Sequence, residues 1–192
     1  MTDSISEVYS FVYRGHLTLD ALEQVDAARP SDREEESLES LLATDALDER
    51  FTAQAKKSAH VYVVIAAFEN SVRELISTTL KENIGDDWWE KSVSEKIRSQ
   101  AELRIADEEK IKWHTPRGHD PINFTMLPNL LNIIRQNQEF FVPLIHDIDW
   151  ASNIFDVVER SRNVIMHSGS LSRRDMARLG TFIRDWSSQV YS

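Results

Sequence analysis

The sequence predicts an all-α protein. Two observations carry that expectation. Only 5 Gly and 5 Pro are spread over 192 residues, which leaves few places to break a helix. Apolar residues recur at steps of three and four, while strict apolar–polar alternation is hard to find.

Helices are expected over 5–14 and 18–28, within an acidic stretch, and over 32–43. The third is announced by Ser31 with Glu34 three residues on, the spacing of a capping box. The run Glu34-Glu35-Glu36 reads as a solvated helix start, favoured by the helix dipole, with partner binding as the alternative. A long helix over 46–84 carries a stripe of Val61, Ile65, Phe68, Val72 and Leu75 and stops at Gly85. Trp88 and Trp89 open a helix over 87–106 as core anchors. Thr115-Pro116-Arg117-Gly118-His119-Asp120-Pro121 is the clearest loop. Leu127, Leu130, Leu131 and Ile134 mark a helix over 125–137. Ile154, Val157, Val158, Val164 and Ile165 mark one over 150–168, with Gly169 as its expected C-terminal stop. Ser172 with Asp175 opens the last helix, 172–190, whose stripe is Met176, Leu179, Ile183, Trp186 and Val190.

Composition bounds the function. There is no cysteine, which removes disulfides, thiol nucleophiles and Cys-ligated metals. No apolar run approaches the roughly 20 residues of a membrane span. The start, MTDSISEVYS, lacks the basic-then-apolar pattern of a secretory signal, so a cytoplasmic chain with no membrane partner is the simplest expectation. The formal net charge of -10 speaks at first against nucleic acid. It is unevenly placed. Residues 1–50 hold 4 basic and 13 acidic side chains, against 18 and 19 in residues 51–192. The chain therefore divides into an acidic helical N-terminal arm, 1–50, and a nearly neutral helical domain, 51–192.

The segment that carries chemistry is Glu159-Arg160-Ser161-Arg162-Asn163-Val164-Ile165-Met166-His167-Ser168-Gly169. On a helix, Asn163 and His167 fall one turn apart on one face. Arg162 lies about 140° around the axis from His167 and about 7.5 Å along it, within reach for a long side chain. Glu159 and Asn163 are also one turn apart. A polar strip on an otherwise apolar helix meets partners, water or a second protein surface. The plainer reading is a helix C-terminus with a histidine favourably placed on the dipole and an arginine paired with a carboxylate.

Arg162-Asn163, three residues, then His167, at the end of a late helix, resembles the signature of the HEPN superfamily. The order of other segments is similar to one HEPN subgroup, the domain at the C-terminus of RNA-quality-control endonucleases: Phe68-Glu69-Asn70-Ser71-Val72-Arg73-Glu74-Leu75-Ile76 on a long helix, Trp88-Trp89-Glu90, Arg117-Gly118-His119-Asp120-Pro121, and Leu171-Ser172 after the motif. The resemblance covers roughly residues 55–190. It implies a HEPN-like helical bundle with the acidic arm as an N-terminal extension.

It also implies a metal-independent endoribonuclease, a hydrolase of RNA that works as a homodimer with two motif helices across one cleft. The RNA's own 2′-hydroxyl would attack phosphorus. Such a step needs a base, an acid and cationic donors for the phosphoryl oxygens. Imidazole titrates near neutrality and serves either proton transfer, and a guanidinium fork matches phosphate. Carried over, His167 is base or acid, Arg162 the phosphate clamp and Asn163 an orienting group. No cofactor or metal is implied. The setting would be toxin–antitoxin growth arrest, antiviral (anti-phage) defence or RNA turnover, with an antitoxin or regulatory protein as a further partner. One HEPN subgroup carries a tyrosine two residues after the histidine as a modification target. Here that position is Gly169, and that regulation is not carried over.

Other residues add expectations. Lys112, Trp113 and Arg117, with Lys110, His114 and His119, make a basic, aromatic loop that would stack bases and neutralise phosphates. The alternative is a surface loop with Trp113 tucked into the core. His114 and His119 lack a third clear ligand for a metal. Arg174 and Arg178 share a helix face and would extend a positive rim, or else form a solvated face. Glu69, Asn70 and Glu159 would support the motif, Glu69 and Asn70 by positioning Arg162 or His167; a surface salt bridge is the alternative. Two rival functions remain: a non-catalytic HEPN module binding RNA, nucleotide or a protein, and an unrelated helical adaptor whose acidic arm recruits a partner. In the nuclease reading the arm would mimic RNA and restrain the site.

Overall fold

A computed structural model describes residues 32–145 and 147–190. The expected helices at 5–14 and 18–28, and Ser31 of the first capping box, lie outside the described residues. Within them there are eight α-helices and no strand. They are α1 (Asp32–Leu41), α2 (Glu49–Ile84), α3 (Trp88–Ser92), α4 (Glu95–Glu109), α5 (Leu127–Gln136), α6 (Gln138–Ile145), α7 (Ile148–Met166) and α8 (Arg173–Val190). Short 3-10 turns at Thr44–Ala46 and Pro121–Phe124 precede α2 and α5. None of these helices is long and apolar enough to cross a membrane.

The chain divides into two compact units, Met1–Ala53 and Gln54–Ser192. In the first, Glu34, Glu35 and Glu36 are exposed at the start of α1, and Leu38 and Leu41 are exposed further along it.

In the second unit, α2 buries Val61, Ile65, Phe68, Val72, Ile76 and Leu80. Leu75, expected on this stripe, is only partly buried, and Ile76 takes its place. A 3.6-residue turn drifts against steps of three and four, so a long helix changes which neighbour faces inward. At α2's end Gly85 adopts φ +105° and its N–H donates to the Lys81 carbonyl, the left-handed stop expected of it.

The single helix expected over 87–106 is broken. Val93 (φ -100°, ψ 129°) and Ser94 (φ -59°, ψ 146°) are extended. The break lets Trp88, Trp89, Val93, Ile97 and Ala101 all be buried. Trp88 and Trp89 meet edge to face with centroids 5.5 Å apart, the anchoring expected of them.

Helix α5 buries Leu127, Leu130, Leu131, Ile133 and Ile134. It is followed at once by α6, a helix not among those expected, with Pro143 inside it. Phe141 and Ile145, four apart and buried, hold α6 in place despite the lost backbone donor.

Helix α7 packs against α5, α6 and α8, and α4 packs against the Pro121–Phe124 turn. Asp147 caps α7 by accepting from the Asp149 N–H at 2.8 Å. At the head of α8, Ser172 Oγ accepts from the Asp175 N–H at 3.2 Å and donates to Asp175 Oδ2 at 2.6 Å. This hydrogen bond holds the Asp175 carboxyl below the ordinary carboxylate range. Val164 and Met176, expected on apolar stripes, are exposed. They flank the α7–α8 turn, while Ile165 and Leu171 between them pack against the core.

The centre of the core is aromatic. Phe68, Phe155 and Trp186 meet pairwise edge to face at 5.5 Å, and Trp150 stacks on Trp186 at 6.1 Å. These contacts join α2, α7 and α8, and so fix the motif helix against the long helix.

Candidate functional site

Arg162 lies in the last two turns of α7 and points toward α2. Its Nε stands 3.1 Å from Glu69 Oε1. The N–H is not aligned for a hydrogen bond, so this buried oxygen has an ion partner but no hydrogen-bond donor. The other Glu69 oxygen accepts from Arg73 Nη2 at 3.1 Å. Arg73 also donates to Asn70 Oδ1 at 2.9 Å and to the Thr125 carbonyl at 3.4 Å. One half-buried carboxylate is thus shared by two arginines. Pairing at i, i+4 on α2 accounts for Glu69 with Arg73, and the packing of α7 brings Arg162 to the same group.

These residues form one wall of a cleft of about 570 Å³. Arg104 and Arg117 also line it. Arg104, on α4, donates to the Phe124 carbonyl at 2.6 Å. Arg117 donates its backbone N–H and its Nε to the two oxygens of Glu108, at 3.1 and 3.0 Å, and lies over the Phe124 ring. Gly118, at φ +120°, allows the loop to turn after Arg117, since its conformation is one that L side chains rarely adopt. Asn70 and Asn123 add neutral polar groups to the lining.

His167 occupies the C-cap of α7 and is exposed, and it is not among the residues that line this cleft. Asn163 is exposed, and neither it nor the half-buried Glu159 has a side-chain partner among the described residues. Within one chain, then, Arg162, Glu69, Asn70 and Arg117 come together, while Asn163 and His167 stand on the solvent side of α7. Arg174 and Arg178 are exposed on α8, outside the cleft, with Arg178 3.8 Å from Asp175. Lys112 is exposed, and Trp113 is 85% exposed rather than tucked into the core. No group of three His, Asp or Glu among the described residues is placed to hold a metal ion.

The turn beneath His167 is a Schellman motif. The Ser168 N–H donates to the Ile165 carbonyl at 3.0 Å and the Gly169 N–H to the Val164 carbonyl at 2.8 Å. The left-handed residue is Ser168, at φ +61°, not the glycine. Gly169 is needed for a different reason: a β-carbon there would lie 2.8 Å from Val164 Cγ1 and from the Val164 carbonyl oxygen. Its carbonyl also accepts from Ser58 Oγ at 3.4 Å, which ties the turn to α2. Gly169→Ala should therefore lower stability by about 1–3 kcal/mol, the usual cost of forcing atoms into a filled space. Urea denaturation would read this; an unchanged midpoint would mean that the turn opens at no cost.

Arg73, Arg104 and Asn123 were not anticipated as site residues. Arg73 had a signal in its i, i+4 spacing from Glu69. Arg104 had none, because its partner carbonyl lies 20 residues away across a loop. Compared with family models, with curated proteins and with solved structures, the chain finds no match.

Proposed function

We propose that this chain is a metal-independent endoribonuclease of the HEPN type that acts as a homodimer. The observation that carries the reading is the position of the Arg162-Asn163…His167 segment. It ends a late helix of an all-α bundle, with Arg162 opening onto a cleft of arginines and His167 exposed at the helix terminus. In this reading the 2′-hydroxyl of the substrate loses its proton to one imidazole and attacks the adjacent phosphorus. The bond to the 5′-oxygen breaks, and that oxygen takes a proton from an acid. The products are a 2′,3′-cyclic phosphate and a 5′-hydroxyl. Guanidinium groups stabilise charge on the phosphoryl oxygens. One chain offers one motif histidine, so two proton transfers call for a second copy related by a two-fold axis. Growth arrest, defence or RNA turnover is the proposed setting, with RNA as substrate and an antitoxin or regulatory protein as a further partner.

Purified protein should cleave RNA in excess EDTA and leave cyclic-phosphate ends. Arg162→Ala should slow this cleavage by about 100-fold, the effect of losing one donor to a developing oxyanion. Cleavage that stops in EDTA, or that is unchanged in Arg162→Ala, would count against the proposal.

One observation favours a second reading, a non-catalytic module that binds RNA, nucleotide or protein. Arg162 is engaged with Glu69 and His167 does not line the cleft that Arg162 enters. A chain that binds RNA but leaves it intact under every buffer condition would fit that reading.

A further inference from the structure

The cleft between α2, α4 and the Pro121–Phe124 turn holds more hydrogen-bond donors than the described residues use. Four arginines line or border it, and two carboxylates, Glu69 and Glu108, answer them. Arg117 engages Glu108 through Nε and its backbone, and Arg162 meets Glu69 through Nε. Among the described residues, the terminal nitrogens of both meet no acceptor. Arg104 spends one terminal nitrogen on the Phe124 carbonyl. Arg73 is fixed by Glu69, Asn70 and the Thr125 carbonyl, and its Nε is buried with no acceptor. Guanidinium groups oriented in this way, through side chains and backbone carbonyls rather than free in solvent, are preorganised for an anion with several oxygens.

In a chain of net charge -10, such a cluster is a local exception. Guanidinium planes match carboxylate or phosphate oxygens two at a time, and a phosphate, with more oxygens than a carboxylate, can engage several guanidinium groups at once. The volume of about 570 Å³ is larger than a bare phosphate needs and lies in the range of small-molecule sites. The Arg117 guanidinium, held over the Phe124 ring, gives the cleft a flat face against which a base can lie.

We propose that this cleft is a phosphate-binding subsite for a nucleotide-sized ligand, one that His167 of the same chain does not line. The ligand is either a free nucleotide or one nucleotide of a strand. The subsite stands whether or not the chain cuts RNA, because none of its geometry involves the imidazole.

The test is equilibrium titration of the full chain at low ionic strength, with inorganic phosphate, adenosine 5′-monophosphate and a short 2′-O-methyl RNA, which lacks the attacking hydroxyl. The monophosphate should bind, and inorganic phosphate should compete with it. Arg117→Gln and Arg104→Gln should each weaken the monophosphate by about tenfold, the loss of about 1.4 kcal/mol. Arg184→Gln, on the exposed face of α8, should leave its affinity unchanged. Arg104 also braces the Phe124 carbonyl, so its variant is judged only if its melting profile matches the parent's. Arg117 is exposed and provides the variant that keeps the fold. Tighter binding of the 2′-O-methyl RNA than of the monophosphate assigns the site to a strand, and the reverse assigns it to the free nucleotide. The proposal is overturned if none of the three probes binds, if the monophosphate binds no better than inorganic phosphate, or if Arg117→Gln binds as the parent does. Loss of cleavage in His167→Ala with binding intact would separate this subsite from the nuclease reading.

Discussion

His167→Ala is expected to slow RNA cleavage by about 10²–10⁴-fold, the range for removing a positioned acid or base. The same change should leave the melting profile of the protein intact. His167 is exposed at the end of α7 and has no side-chain partner among the described residues, so truncation creates no cavity and strands no buried group. Few substitutions separate function from folding so cleanly. The measurement is a single-turnover cleavage time course in EDTA beside a thermal melt. Cleavage at the parent's rate would remove His167 from the chemistry, and with it the nuclease reading. If the site is composite, adding excess His167→Ala chains to the parent should lower the parent's activity, since a mixed dimer holds one imidazole for two proton transfers.

Trp186→Ala should have the largest effect on stability, a loss of about 3–5 kcal/mol. Trp186 is fully buried and touches Phe68 of α2 and Phe155 and Trp150 of α7. Its removal opens a void where three helices meet, and the surrounding rings are too constrained to fill it. The midpoint of urea denaturation should fall accordingly. Trp186→Phe is the informative companion. Its ring keeps much of the aromatic contact, and the exchange removes an indole N–H that is buried without an acceptor. Its cost should therefore be clearly smaller. Equal losses in the two variants would mean that ring size, not packing area, governs this position.

The helical class was legible because the signal is periodic and long. Sites such as Leu127, Leu130, Leu131 and Ile134 need only their own segment to be read, and all four are buried. Features that depend on another segment were not. Val93 and Ser94 break an expected helix so that two groups of apolar residues can face one core. Helix α6 was not expected, and in it the local penalty of Pro143 is outweighed by burying Phe141 and Ile145. Gly169 was read as a left-handed stop, but Ser168 takes that conformation and the glycine answers a steric demand from Val164. At the site, the motif and Glu69 could be picked out from residue type and spacing. Arg117 was picked out as part of a basic loop, but its meeting with Arg73 and Arg104 was not, because the three line one cleft only when α2, α4 and the loop after it are assembled.

The Schellman turn has a consequence for what the end of α7 can become. Position 169 is two residues beyond His167, a natural place for a hydroxyl or charged side chain that could be modified to shut or screen the imidazole. The approach of the Val164 carbonyl leaves no room there for a β-carbon. Every such side chain is barred at this point unless the turn is rebuilt. The nearby exposed hydroxyls, Ser168 and Ser170, flank the glycine rather than occupy its place. The same hydrogen bonds that hold the histidine's backbone still thus narrow the routes by which selection could put a covalent brake beside it.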